Sequence, residues 1–280
     1  MKSHLQGTLK KEAVFEGVGI HTGKPCKVVV RGAEENHGRV FAASDGGRVP
    51  ARVDSVVKCD RCTILGSGDS VVYTPEHLLS AMAALGIDNA LIEMSGPEVP
   101  ILDGSAATFY SALKQAGVQV QKSPAPVIRP EKPFSVMGNQ GQSVHVVPWS
   151  EEHYEYVLYY DHPMLGCQTV EFSPQEGDYA LEIAPARTFA LWEEVKPLLE
   201  RGLAQGGTID NALVVYQDKF SSPLTVEREP VRHKCLDLIG DFALLDARIQ
   251  AKVLAIRAGH KLHVDCATAV WKDVRVCERA

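Results

Sequence analysis

The stretch Arg232-His233-Lys234-Cys235-Leu236-Asp237-Leu238-Ile239-Gly240-Asp241 decides how the rest of the chain is read. As a helix it sets His233, Asp237 and Asp241 at i, i+4 and i+8. Residues four apart on a helix are neighbours, with Cβ atoms about 5–6 Å apart. An imidazole and a carboxylate at that spacing both reach one divalent cation. Leu236, Ile239 and Ala243 give the other side an apolar stripe of matching period, suited to a core. A lone His-x3-Asp is more often a solvated polar face than a metal site. A second segment, Thr74-Pro75-Glu76-His77, shifts that balance. Zinc hydrolases need three protein ligands, one open position and a nearby general base. The two stretches together can supply all of these.

Composition narrows the class. The chain has 280 residues, enough for one large domain or two of ordinary size. It is 45% hydrophobic and 23% charged, as expected for a globular protein with a core. A net charge of -6 argues against a general nucleic-acid binder, but leaves room for an anionic small-molecule substrate held by local Lys or Arg. Met1 to Phe15 contains no apolar signal-like run, and no stretch reaches the roughly 18–20 apolar residues of a membrane span. The expectation is a cytoplasmic protein with no membrane span. Seven cysteines, an odd number scattered along the chain, read as reduced thiols. Cys59-x-x-Cys62 has no second pair and reads as ordinary loop cysteines.

Along the chain, residues 8 to 32 read as two strands around the glycine-rich turn Gly17 to Gly23. His21 in that turn is a turn residue first and a candidate for lining a substrate site second. Short strands and polar loops follow, including Val49 to Val57 and Ser70 to Tyr73. Thr74 as N-cap and Pro75 as first helical residue open a helix that carries Leu78, Leu79, Met82 and Leu85 and stops at Gly86. Glu76 and His77 fall in its first turn and diverge by about 100°, so that one can bind a metal while the other reaches a water there. Ala90 to Met94 is a strand, Ile101 to Ser105 a turn, Ala106 to Gln115 a helix, and Gln121 to Pro126 a linker. Strands resume at Val127 to Val136, Ser143 to Pro148 and Tyr154 to Tyr160. A Glu/Leu-rich helix running to Leu203, a strand Ala212 to Tyr216 and the His233 helix complete the second half. Each half has strands followed by a helix that begins with a His, which suggests two α+β modules joined near residue 125, with a metal between them.

These residues resemble a known family, the UDP-3-O-acyl-N-acetylglucosamine deacetylases, zinc enzymes of the committed step of lipid A synthesis. The matching stretches in the first half are Gly17 to Gly23, Thr74 to Leu78, Leu85 to Asn89 and Ile101 to Ser105. In the second half they are Asp161 to Pro163, Ala186 to Phe189, Gly206 to Asn211, Val231 to Asp241 and Ala258 to His260. Each alone is weak; in this order over almost the whole chain they are specific.

The resemblance implies an α+β fold of two similar domains. Each has a mainly antiparallel sheet with two helices, and the helices pack between the sheets. The domains would span 1–122 and 130–280, joined by a linker at 123–129. An insert at about 189–213 would form the passage for the acyl chain. The resemblance assigns His77, His233 and Asp237 as zinc ligands, Glu76 as general base, and His260 as acid oriented by Asp241. Thr188 would help hold the oxyanion. Phe189 and Lys234 would contact substrate, with Tyr160 near the uridine and His21 a further candidate contact. The implied reaction is zinc-dependent amide hydrolysis of the 2-acetamido group of UDP-3-O-acyl-N-acetylglucosamine, by a monomer. Fe²⁺ also suits imidazole and carboxylate donors. Ala190-Leu191-Trp192 and Pro230 depart from the family pattern, and the first departure bears on the shape of the acyl passage. Two rival readings are an amidase for another N-acetylated substrate and a non-catalytic binder of nucleotide-sugar. The second loses ground because no acid, base or ligand residue is missing.

Overall fold

The computed structural model describes residues 5–200 and 206–277. Its frame is two five-stranded sheets with the same strand order and sense. The first runs Ala13–Val18, Pro25–Gly32, Ala90–Met94, Arg39–Ala42, Arg48–Pro50 across the sheet. The second runs Phe134–Met137, Ser143–Pro148, Ala251–Ile256, His153–Tyr160, Gly166–Phe172. In each sheet the central strand pairs in parallel with the fourth, and every other pairing is antiparallel. The expected α+β class with two similar halves is what the chain forms, although no residue-level repeat announces it.

Six helices lie among the described residues: α1 (Glu76–Ala84), α2 (Ala107–Ala116), α3 (Tyr179–Glu182), α4 (Trp192–Glu200), α5 (Glu229–Phe242) and α6 (His260–Cys277). α1 and α2 flank the central strand of the first sheet in sequence, as α5 and α6 flank that of the second. The strands alternate: Val28 and Val30, Val144 and Val146, and Tyr154, Tyr156 and Leu158 are buried while their neighbours are less so. Each sheet thus has one apolar face, and helices cover it. α5 packs on His153–Tyr160, α6 on Phe134–Met137 and Ser143–Pro148, and α2 on Ala13–Val18. α1 packs on α2 and on α5, so the helices of the two halves meet each other.

That meeting is close at Gly240. A Cβ added there would lie 2.1 Å from the Glu76 carbonyl oxygen, a backbone atom that cannot swing aside. Only glycine lets α5 approach the first turn of α1 this closely. The approach brings Glu76 and His77 against Asp237 and Asp241. Pro230 sits in the first turn of α5, where its missing N–H costs nothing.

Several local expectations differ. α1 begins at Glu76, and Thr74 does not cap it: Thr74 has a left-handed backbone (φ 57°) and its hydroxyl donates to Glu98 Oε1 at 3.0 Å. A capping residue needs an extended backbone to turn its oxygen onto the helix N–H groups, and Thr74 instead turns its hydroxyl to the fully buried Glu98 carboxylate. The expected linker is largely strand, Val118–Pro124, paired antiparallel with Leu5–Leu9, and Val127–Ile128 pairs in parallel with Arg248–Ile249. The strand expected over Val127 to Val136 is two pieces, Val127–Ile128 and Phe134–Met137. The strand Gly166–Phe172 and the long helix α6 were not expected. The helix expected to reach Leu203 is described to Glu200; residues 201–205, part of the insert, lie outside the described residues.

Gly240→Ala should destabilise the fold by about 1–3 kcal/mol, the usual range for overpacking. The check is a lower denaturant midpoint at unchanged slope. An unchanged midpoint would contradict the close approach.

Candidate metal centre

Three buried side chains from two helices converge. His77 comes from the first turn of α1; His233 and Asp237 are one turn apart on α5. Asp237 Oδ1 lies 3.5 Å from His77 Nε2 and 3.4 Å from His233 Nε2, and the two rings stand edge to face at 5.0 Å. Their ligand atoms all lie within 4.8 Å of one another. Around a tetrahedral ion with bonds of about 2.0–2.1 Å, neighbouring ligand atoms are roughly 3.3–3.4 Å apart. The two measured separations are close to that spacing. Asp237 Oδ1 has no hydrogen-bond donor although it is buried, which is expected of an atom aimed at an ion. The donor set therefore fits a divalent metal.

The shell behind these three side chains is partly built. His233 Nδ1 lies 3.1 Å from the Ala186 carbonyl, so it carries the proton and leaves Nε2 free to ligate. Burial pushes the His233 pKa down to about 3, which keeps the ring neutral as a ligand must be. Lys234 Nζ donates to Asp237 Oδ2 at 2.8 Å. Burial alone would raise the Asp237 pKa, but the Lys234 ammonium beside Oδ2 opposes it, and the carboxyl is held well below the usual range.

A second cluster adjoins the first. Glu76, buried beside His77, has its Oε1 3.7 Å from His260 Nε2. His260 Nδ1 lies 2.8 Å from Asp241 Oδ2. Burial raises the Glu76 pKa, with His260 opposing. For His260 burial lowers the pKa, but Asp241 and Glu76 more than reverse that. The pair combines a carboxylate with raised proton affinity and an imidazole held protonated, a combination suited to acid–base work.

The remaining expected residues are distributed around this centre. Phe189 stacks edge-on to His233 at 6.4 Å and to Tyr160 at 6.0 Å, with Lys234 Nζ 5.7 Å from its ring. Thr188 is fixed through its backbone, its N–H to Gly104 and its carbonyl to Leu213 N. Tyr160 and Lys234 also line a cleft of about 340 Å³ together with Asp161 and Arg257. His21 is placed by its backbone N–H, which donates to Glu98 Oε1 at 2.9 Å. No direct contact joins its side chain to the metal cluster among the described contacts. Asp241 stands apart from His77, His233 and Asp237 and groups with His260 and His263. Each i+4 step turns the helix face by about 40°, so over eight residues Asp241 is turned some 80° from His233.

Sequence reading missed four supporting residues. Glu98 accepts from the His21 and Thr22 backbones and from the Thr22 and Thr74 hydroxyls. Glu229, wholly buried, accepts from Arg187 at 2.7 Å and from Thr225 at 2.8 Å, anchoring the segment that carries Ala186, Thr188 and Phe189. Thr63 and His263 both donate to Asp241. The spacing His260-x-x-His263 was the signal available for the last.

A family model described as UDP-3-O-acyl N-acetylglycosamine deacetylase matches residues 6–272. The UDP-3-O-acyl-N-acetylglucosamine deacetylase of Syntrophotalea carbinolica is 38% identical over 263 residues, 92% of this chain and 85% of that one. The Chlamydia caviae protein of the same name is 39% identical over 269 residues, 94% and 96% of the two chains. That of Thermosynechococcus vestitus is 39% identical over 270 residues, 95% and 93%.

Arg187→Ala removes the guanidinium from a buried carboxylate and should destabilise the protein by about 3–5 kcal/mol. Equilibrium unfolding measures it, and a loss under 1 kcal/mol, on the order of an exposed pair, would contradict the buried pairing.

Proposed function

The chain belongs to the UDP-3-O-acyl N-acetylglycosamine deacetylase family, and we propose that it hydrolyses the 2-acetamido group of UDP-3-O-acyl-N-acetylglucosamine, the committed step of lipid A synthesis, with zinc held by His77, His233 and Asp237. The observation that carries the reading is the convergence of two imidazole nitrogens on one donor-free carboxylate oxygen, at 3.5 and 3.4 Å, beside the Glu76 and His260 pair. Fe²⁺ suits the same donors as an alternative.

Zinc bound there would polarise the acetamide carbonyl and acidify a water. The chain's own residues do the rest. Glu76 takes a proton as water attacks the carbonyl carbon. Thr188, two residues beyond the carbonyl that orients His233, offers its hydroxyl to the developing oxyanion. His260 gives the proton on Nε2 to the sugar nitrogen as the C–N bond breaks, with Asp241 holding Nδ1. Water and amide become acetic acid, which ionises to acetate, and a free amine; the proton gained by Glu76 matches the one lost by His260, and its passage between them through solvent returns both residues to their starting protonation.

Phe189, Tyr160 and Lys234 form the proposed substrate wall. The cleft lined by Tyr160, Lys234 and Arg257 suits a uridine diphosphate, the aromatic ring for the base and the cations for the phosphates. His21 is proposed as a contact from the Gly17–Gly23 loop, whose Ile20 carbonyl accepts from the insert residue Gly206. The acyl chain would follow the insert at about 189–213. The division into domains 1–122 and 130–280, joined by 123–129, belongs to this proposal, as does action as a cytoplasmic monomer. Among the described residues no helix is long and apolar enough to cross a membrane.

Glu76→Ala should keep its zinc and lose about 10²–10⁴-fold in turnover, the range for a lost acid or base. His233→Ala should instead lose the metal, read by metal analysis of the purified protein. Turnover near the parent's in the first variant would remove Glu76 from the reaction; full zinc in the second would sink the ligand assignment.

A further inference from the structure

His263 has no part in the chemistry above, yet it is wholly buried and aimed at the carboxylate that His260 uses. His260 and His263 are i and i+3 at the start of α6, so they share a helix face. Both Nδ1 atoms lie 2.8 Å from Asp241 Oδ2. Thr63, from the strand Thr63–Ser67, donates its hydroxyl to Oδ1 at 2.6 Å. Both oxygens of a fully buried carboxylate are therefore engaged, by donors from two elements outside α5.

The chemistry of the partners fixes the tautomer of His263. A carboxylate only accepts, so His263 presents Nδ1–H. Its Nε2 is then a lone pair, and this atom has no partner. A buried acceptor without a partner is better tolerated than a buried N–H without one. The other tautomer would leave an orphan N–H and turn a lone pair towards the carboxylate. Burial lowers the His263 pKa and keeps this second ring neutral, so the Asp241 charge is left for His260. Tyr156 packs edge-on to the ring at 6.1 Å.

We propose that His263 is a positioning residue which, with Thr63, locks the Asp241 carboxylate so that Oδ2 fixes the ring orientation and tautomer of His260. Removing it would leave Oδ2 with one donor and free the carboxylate to rotate between Thr63 and His260. The inference rests on the reading of His260 as proton donor to the leaving amine.

The test compares His263→Asn, His263→Gln and His263→Leu in the zinc-loaded full chain. The Asn amide nitrogen falls where Nδ1 was, whereas the Gln amide reaches towards Nε2. Asn should keep kcat near the parent's. Leu and Gln should lower kcat about 10-fold or more, the worth of a hydrogen bond to a charged group, with KM and zinc content unchanged. In a His260→Ala background His263→Leu should cost nothing further, because the two act as a unit. Parental kcat in His263→Leu while His260→Ala is inactive would overturn the positioning role and leave the His260 reading standing. A fully active His260→Ala would overturn the reading beneath it. Nitrogen NMR of the histidine-labelled parent gives a measurement that does not depend on variants folding: His263 should be the Nδ1–H tautomer, and an Nε2–H signal overturns the inference.

Discussion

Burying ionisable groups is the constraint on which the rest of this structure depends. Glu76, His77, His233, Asp237, Asp241 and His263 all lie at or near zero exposure where α1, α5 and α6 meet. An isolated buried charge costs several kcal/mol, so each must find a partner, an ion or a neutral form. The chain uses partners and neutral forms, and leaves one carboxylate oxygen bare where an ion would fit. His233 and His263 are held neutral by burial. Asp241 is met by three donors. Asp237 accepts from Lys234 on one oxygen and keeps the other bare towards two imidazoles. A metal at that point would give this bare oxygen its partner.

The duplicated frame explains why such a site can form. Two sheets of the same topology each bury one face under helices, and the helices of the two halves then meet, α1 against α5. Gly240 removes the side chain that would hold α1 and α5 apart. One half delivers Glu76 and His77, the other His233, Asp237, Asp241 and His260. Neither half holds all three of His77, His233 and Asp237, so the proposed chemistry depends on the contact between them.

The sequence made part of this legible. The i, i+4 spacing of His233 and Asp237, and the Glu76-His77 pair at a helix start, pointed to a shared cation, and these residues do converge. Alternating strands such as Ser143–Pro148 were readable because one face is buried and the other is not. The i+8 spacing placed Asp241 on the same polar row as His233, and the resemblance set it beside His260, where its Oδ2 lies 2.8 Å from Nδ1. Thr74 was taken for a cap because a local rule cannot see the left-handed backbone the fold gives it, which turns its hydroxyl to Glu98, twenty-four residues away in sequence. α6 was overlooked because His263 and Cys266 interrupt its apolar stripe, although both are buried with Val264, Ala267 and Val270. A buried His in a network looks polar in sequence and behaves as core in the fold.

The central claim is that the residues gathered at the α1–α5 contact hydrolyse an amide with a bound metal. The direct test is acetate release by the purified full chain from UDP-3-O-acyl-N-acetylglucosamine, measured as prepared, after chelation and after zinc is restored. The account predicts release that chelation abolishes and zinc restores. A folded, zinc-loaded protein that releases no acetate across several acyl lengths, or one whose release is untouched by complete removal of metal, would contradict it.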